Sequence, residues 1–299
     1  GGVGLWAAER LGPDSIRASR PGYIEEIPIH EKNNSNFIYS NNLIQFCKDK
    51  GWYTDGPFNL NKILGDGRGR WKGVKWIEGE IKRLAKRSQK ISLEDVIWAV
   101  RTSKLTGDTA GYGQIVPLLN PTHDELRVLW HAPIGPIAAP FSPVFIGQST
   151  IPEEFMMHRY LSAGESHRFL DERKSDIRDS ISLTSQGVES TVSAVYECKR
   201  LLYLILQNEE RFLPEVTESF NDRERKLMSR IVDIVKSCKV LLNNGEQKLS
   251  EQILNYFSMT ELLGGLELVK VLSSSIEART RYSKGFSKNI KPKSSDQIW

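Results

Sequence analysis

The fold is decided by residues 124–154, DELRVLWHAPIGPIAAPFSPVFIGQSTIPEE. Apolar and polar side chains alternate over residues 126–132, which is typical of a β-strand with two different faces. A second apolar run, residues 144–146, ends at Gly147. The prolines between the two runs cannot donate to a β-ladder, so regular pairing is confined to either side of them. We therefore predict a central β-hairpin with a rigid connection, whose sheet the earlier segments extend and the later helices cover.

The bulk composition describes a folded protein. The 299 residues suffice for one large domain or two ordinary ones, and 39% of them are hydrophobic, enough for a real core. A net charge of +4 is mildly basic, well short of a dedicated nucleic-acid protein. No run of about 18 apolar residues occurs, which excludes a membrane span on length. The 3 cysteines lie far apart without CxxC spacing, so we predict buried, reduced thiols and a cytoplasmic location, with any targeting signal upstream of Gly1.

Short elements are predicted at the start of the chain. Residues 3–10 read as a strand, residues 12–15 have the chemistry of a tight turn, and residues 15–20 are expected to return as the partner strand. Ser40 is placed to cap a helix that ends at Gly51.

Two helices before the hairpin carry clear patterns. Apolar residues recur every three or four positions from Trp71 to Leu84, which predicts an amphipathic helix. Lysine and arginine crowd its other face between residues 68 and 90. Such a run is usually a solvated face, and no aromatic platform accompanies it, so nucleic-acid binding through residues 68–90 is the least favoured of our hypotheses. Ser92 and Asp95 open the next helix in capping-box style.

After the hairpin, apolar residues recur at the spacing that is typical of α-helices. Long helices are predicted over residues 188–212, 221–242 and 248–282, and Gly264-Gly265 marks a point where the last can break or kink. A polar seam is predicted at residues 171–180. We therefore divide the chain into an α+β region (1–180), a helical extension (181–282) and a basic flexible tail (283–299).

Spacing alone gives no complete active site. The glycines of residues 65–69 follow a helix and lack a GK[ST] sequence, so we interpret them as a flexible loop and not as a phosphate site. The five histidines have no metal-ligand spacing, and no cofactor is predicted. His131 ends a strand beside the Pro/Gly connection. A hydrogen-bonded structural role is favoured for it, with a catalytic role as the alternative.

Five segments together carry a further pattern. Residues 4–14 contain Trp-Ala and Pro-Asp, residues 36–59 follow with an aromatic strand and a Gly-Trp-Tyr turn, and Arg70-Trp71 comes next. Residues 91–101 read I-S-L-E-D-V…R, and residues 129–147 form the hairpin. In this order they resemble the C69 family of N-terminal-nucleophile dipeptidases, to which the secernins are related. The resemblance covers roughly residues 1–152.

The resemblance implies a partial four-layer αββα sandwich of the Ntn-hydrolase type with a helical C-terminal extension. It also implies hydrolysis of dipeptides or small linear amides by a cysteine whose free α-amino group acts as the base. Gly1 has no side chain, so we expect the nucleophile upstream of Gly1 or on a partner chain. Trp6, Ser19 and Arg20 are expected to line the substrate side, Ser19 as an oxyanion donor and Arg20 as a carboxylate ligand, with His131 as a further candidate.

A non-catalytic assembly or regulatory subunit of the same fold is the main alternative. The family commonly has asparagine on the returning strand, where this chain reads Ala18-Ser19-Arg20, and that departure favours the alternative. The expected partners are a small peptide or amide substrate, the segment or chain that carries the nucleophile, and further copies of the chain in a homo-oligomer.

Overall fold

The computed structural model describes residues 4–19, 36–88, 90–106, 111–156, 192–283 and 285–286. The predicted α+β class is confirmed, with two small antiparallel sheets and long helices. The chain divides into two compact units, Gly1–Ala99 with Ile298–Trp299, and Val100–Gln297. The predicted boundary at residue 180 and the seam at residues 171–180 lie outside the described residues. None of the described helices is long and apolar enough to cross a bilayer.

In its described part, the first unit combines a two-stranded sheet with four helices. Its elements are β1 (Ala7–Glu9), β2 (Phe37–Tyr39), α1 (Leu43–Asp49), α2 (Leu60–Leu64), α3 (Lys72–Ser88) and α4 (Leu93–Arg101), the last of which continues past Ala99. Its α1 and α2 bury a small apolar cluster against which the sheet packs: Leu43, Cys47, Phe58 and Leu60.

The partner of β1 differs from the prediction. The antiparallel neighbour is β2, with Ala8 opposite Ile38, and not residues 15–20. The reason lies in the backbone of Ala18, whose N–H donates to the carboxylate of Glu78 and is not available to a strand.

The predicted cap of α1 is wrong for a similar reason. The hydroxyl of Ser40 accepts from the backbone N–H of Trp6, so the helix begins two residues later, after Asn42.

Three other local signals in the first unit are confirmed. Gly51 adopts φ 69° just after α1, as expected of a residue that ends a helix. The amphipathic helix is α3, with a buried stripe that contains Val74, Ile77 and Ile81. The capping box of α4 forms as predicted, because the Ser92 hydroxyl accepts from the Asp95 N–H at 3.1 Å and Asp95 Oδ2 accepts from the Ser92 N–H at 2.8 Å.

Within the described residues, the second unit contains a three-stranded sheet and three long helices. They are β3 (Gly113–Ile115), β4 (Val128–Ala132), β5 (Ser142–Phe145), α5 (Ala194–Ile205), α6 (Glu209–Asn243) and α7 (Gln247–Ser283). The sheet order is β3-β4-β5 and all pairs are antiparallel, so the predicted hairpin is the centre of this sheet. A short 3₁₀ turn over Asp124–Leu126 replaces the start of the predicted first strand.

The long helices differ from the prediction in where they break. The first break falls at Asn208, and α6 then runs without interruption through Pro214 because a buried stripe of Phe212, Val216 and Phe220 spans the proline. No break occurs at Gly264-Gly265, and α7 is continuous there. A Cβ on Gly265 would lie 3.3 Å from Ser142 Oγ, so this glycine serves close packing of α7 against β5.

A buried ion pair fixes the connection between β4 and β5. Arg101 forms two hydrogen bonds with the carboxylate of Glu224, at 2.7 and 2.5 Å, and both side chains are at most 4% exposed. Arg101 Nε also donates to the carbonyl of Pro136 at 3.0 Å, and Glu224 Oε1 accepts from the N–H of Phe141 at 2.7 Å. The guanidinium carbon lies 5.7 and 5.5 Å from the ring centroids of Phe141 and Phe220. The hairpin connection is thereby bonded to α4 and α6.

We predict that Arg101→Met will lower the free energy of unfolding by about 3–5 kcal/mol, because it leaves the Glu224 carboxylate buried without its cation. Urea unfolding followed by circular dichroism measures the change. Arg281→Met is the matched control, since Arg281 is 65% exposed and its pair with Glu277 is expected to contribute at most about 1 kcal/mol. Equal effects of the two substitutions would contradict a special role for the buried pair.

The two adjacent glycines of α7 give a second, paired prediction. Gly264→Ala should stabilise the protein by about 0.5–1 kcal/mol, because the new Cβ would make only an ordinary contact at 3.8 Å and alanine favours helix. Gly265→Ala should lose that gain or destabilise, because its Cβ would be crowded by Ser142, Pro140 and Arg223. Thermal unfolding of both variants tests the difference, and a stabilising Gly265→Ala would disprove the packing role.

Candidate functional site

The best-defined candidate site in the first unit lies around Ala18 and Ser19. The N–H of Ala18 donates to Glu78 Oε1 at 2.8 Å, and the carbonyl of Ala18 accepts from Arg70 at 3.5 Å. Arg70 and Glu78 also pair with each other, and Glu78 is only 8% exposed. One buried ion pair therefore holds both polar groups of the residue before Ser19, which restricts the direction of the Ser19 side chain.

The predicted substrate-side residues lie at the surface of this unit. Ser19 is exposed, and half of the Trp6 side chain is accessible. The backbone N–H of Trp6 is bonded to Ser40 Oγ at 3.2 Å, which fixes the chain next to β1. Arg20 lies outside the described residues. Both described candidates are therefore open to a ligand.

His131 belongs to the second unit and lies on β4, opposite Gln114 and Ser142. Burial lowers its pKa, so the neutral imidazole is favoured. The expected hydrogen bond of a structural histidine is missing, since the ring has no such partner in the described part of the chain. The Ser142 hydroxyl is not available as a nucleophile, because it donates to the carbonyl of Glu261 at 3.1 Å and is 3% exposed.

The cysteines are the buried thiols that the sequence predicts. Cys47, Cys198 and Cys238 are free and at most 2% exposed. Burial raises the pKa of each thiol, which suppresses the reactive thiolate. The three cysteines of this chain are therefore poorly suited to act as nucleophiles.

The glycine loop between α2 and α3 is not a phosphate site. The N–H groups of Gly65 and Gly67 donate to the carbonyl of Asn61 at 3.0 and 3.1 Å, and that of Gly69 donates to Asn61 Oδ1 at 2.7 Å. Asn61 is 1% exposed and acts as the centre of the loop. Because these donors are used internally, they cannot hold a phosphate, and the interpretation as a structural loop is confirmed.

A small apolar cleft in the second unit is a poor ligand site. Its cavity volume is only about 10 Å³, room for about one water molecule, whereas small-molecule pockets have roughly 300–1,000 Å³. No charged side chain lines it. The walls include Pro133, Ser142, Phe155, Cys198 and Gly265. Among the residues that the structure describes, no three histidine, cysteine or acidic side chains are close enough to hold a metal ion.

The residues that position these segments escaped the sequence prediction. Glu78 follows Ile77 on the buried side of α3, and Glu224 stands between Phe220 and Leu227 on the buried stripe of α6. A carboxylate in an apolar stripe needs a buried cation. That rule could have identified both acids as members of internal ion pairs, but not their partners.

The lowered pKa of His131 predicts a dependence of stability on pH. Below its ordinary pKa of about 6.5 the unfolded chain binds a proton that the folded chain resists, so stability is complete above that value and is lost as the pH falls through the folded pKa. We expect His131→Gln to flatten the decline in the urea midpoint just below pH 6.5. An unchanged pH profile in the variant would contradict the assignment to this histidine.

The geometry thus presents a fixed, exposed segment at Ser19, with Trp6 also exposed in the same unit, and no nucleophile among the cysteines. No protein-family model matches this chain, and no curated protein matches it either.

Proposed function

We propose that the chain is the scaffold of an N-terminal-nucleophile amidohydrolase that cleaves dipeptides or small linear amides. The cysteine nucleophile is supplied by sequence upstream of Gly1 or by a partner chain. Ser19 donates a hydrogen bond to the oxyanion, Arg20 binds the substrate carboxylate, and Trp6 lines the substrate side. Attack of the thiolate on the amide carbon would give a tetrahedral oxyanion, which collapses to an acyl-enzyme and releases the amine.

The observation that carries the proposal is the ion pair around Ala18. An oxyanion donor is effective only if it is oriented before charge develops, because reorientation during the reaction costs free energy. The carboxylate of Glu78 and the guanidinium of Arg70 hold the peptide groups next to Ser19 without occupying its side chain. An exposed hydroxyl on a backbone fixed in this way is suited to the role.

The β1–β2 sheet supports the αββα architecture. One face packs on the cluster that contains Leu43 and Cys47, whereas Trp6, Ala8 and Ile38 on the other face are exposed. Two paired strands of three residues are marginal by themselves, and an apolar outer face is typical of a sheet that a second sheet covers. The proposed sandwich would provide that cover.

A contact between two of the resembling segments gives further support. Arg101, the final residue of the segment that begins I-S-L-E-D-V, donates to the carbonyl of Pro136 in the hairpin. This bond joins two of the five segments, as expected if they preserve one arrangement.

A non-catalytic subunit is the second candidate, and His131 favours it. The only described histidine at the hairpin has neither an acid nor a nucleophile as a hydrogen-bond partner in the described part of the chain. A regulatory or assembly subunit would need the same fold but no catalytic residues. A dipeptide-hydrolysis assay of the full gene product distinguishes the two candidates.

We predict that Ser19→Ala in the full gene product will lower kcat for dipeptide hydrolysis about 100-fold with little change in KM, as loss of one oxyanion donor does. Ser15→Ala is the matched control, since Ser15 is an exposed serine of the same segment. Release of free amino acids, measured by mass spectrometry, gives the rates. Arg20→Gln should instead raise KM for dipeptides more than for amides without a carboxylate.

Three outcomes would count against these assignments. Full activity after replacement of the upstream cysteine would disprove the nucleophile, and equal activities of the two serine variants would disprove the oxyanion donor. Folded protein that contains the upstream cysteine but hydrolyses no dipeptide or linear amide would favour the non-catalytic subunit.

A further inference from the structure

The outer face of α3 carries a row of unpaired cations. Lysine recurs at spacings of three, seven and four residues and an arginine follows the last lysine, which places these side chains on one side of the helix. All are exposed, and none forms an ion pair in the part of the chain that the structure describes. The row extends over about 22 Å of helix. It consists of Lys72, Lys75, Lys82, Lys86 and Arg87.

The acids of α3 do not neutralise this row. Glu78 faces inward and pairs with Arg70, and Glu80 forms a salt bridge of 2.7 Å with Arg83. The five cations therefore retain their charge on the outer face, while the inner face of the helix is part of the core through Ile77 and Ile81. A face of this kind attracts an anionic polymer.

Gly79 leaves the middle of the row of cations without a side chain. It lies on the exposed side of α3, and a Cβ added there would meet no atom within 4 Å. Glycine inside a helix is less favourable than alanine, so a glycine without a packing requirement needs another explanation. The absence of a side chain between Lys75 and Lys82 allows a ligand to approach the helix backbone closely.

Two tryptophans form an aromatic platform beside the same face. The rings of Trp76 and Trp98 are 6.1 Å apart between centroids, and Trp98 is 39% exposed. Trp76 follows Lys75 directly and is one helical turn from Lys72 and Gly79. The sequence pattern did not reveal this pair, because Trp98 belongs to the next helix, α4. An exposed aromatic ring next to a row of cations is a surface on which unpaired bases can stack.

We propose that the outer face of α3 binds single-stranded nucleic acid. The backbone phosphates follow the row of cations past Gly79, and bases stack on Trp98. A membrane surface fits less well, because the apolar stripe of α3 is buried within its own unit and cannot enter lipid. A duplex fits less well because its bases are already stacked. This inference does not depend on the proposed amidohydrolase activity.

Fluorescence anisotropy with a labelled 15-nucleotide oligo(dT) or oligo(rU) tests the proposal on the full chain. Five phosphate contacts predict a slope of about −3.5 in log K against log salt. Lys75→Gln/Lys82→Gln/Lys86→Gln should reduce the slope by about 2. The matched control is Lys236→Gln/Lys239→Gln/Lys248→Gln on α6 and α7, which removes the same charge and should change binding little.

Two further variants separate binding from folding. Gly79→Ala should raise the Tm, because alanine favours helix, and yet weaken oligonucleotide binding. Trp98→Ala should weaken binding about tenfold, as loss of one stacking residue does. Any of three results would overturn the proposal. The two triple lysine variants could weaken binding equally, the protein could bind duplex more tightly than single strands, or it could bind phosphatidylserine vesicles without binding the oligonucleotides. Dipeptide hydrolysis by the gene product that also carries the upstream cysteine tests the amidohydrolase proposal separately, because oligonucleotide binding needs no nucleophile.

Discussion

The buried ion pair between Arg101 and Glu224 is the interaction on which the second unit depends. Removing two charges from water is costly, and only complete hydrogen bonding in a well-formed geometry offsets the cost. Here the carboxylate also accepts from the N–H of Phe141, and the guanidinium donates to Pro136 and Asn221. The connection between β4 and β5 can therefore be buried, which loops usually cannot be, because its free backbone groups find charged partners.

The same arrangement recurs on a smaller scale in the first unit. Around Ala18, the carboxylate of Glu78 accepts the backbone N–H and the guanidinium of Arg70 donates to the carbonyl. In both places an arginine–glutamate pair fixes an irregular segment that has no β-ladder of its own. Such pairs add little net stability compared with an apolar core, but they define one backbone conformation. That property is what a binding or catalytic segment requires.

Local patterns were sufficient for the elements whose signals lie within a few residues. The hairpin, the amphipathic α3 and the Ser92–Asp95 capping box follow from periods and caps that the sequence displays directly. The partner of β1 was beyond such reasoning, because Glu78, 60 residues away, binds the N–H of Ala18 and diverts the competing segment. The need for glycine at position 265 was equally beyond local reasoning, because it arises from the close approach of Ser142, which is distant in sequence.

The candidate site shows the same division. Trp6 and Ser19 were identified through resemblance, whereas the partner of Glu78 and the pairing of Trp98 with Trp76 depend on contacts between elements that no local pattern shows. The two sides of α3 differ in their exposure to water. Its inner carboxylate is desolvated, so added salt hardly weakens the ion pair that fixes Ala18, whereas the outer cations are fully open to counterions. Ionic strength therefore separates the two proposals: an amidohydrolase built on the inner side would be insensitive to salt that removes a polyanion from the outer side.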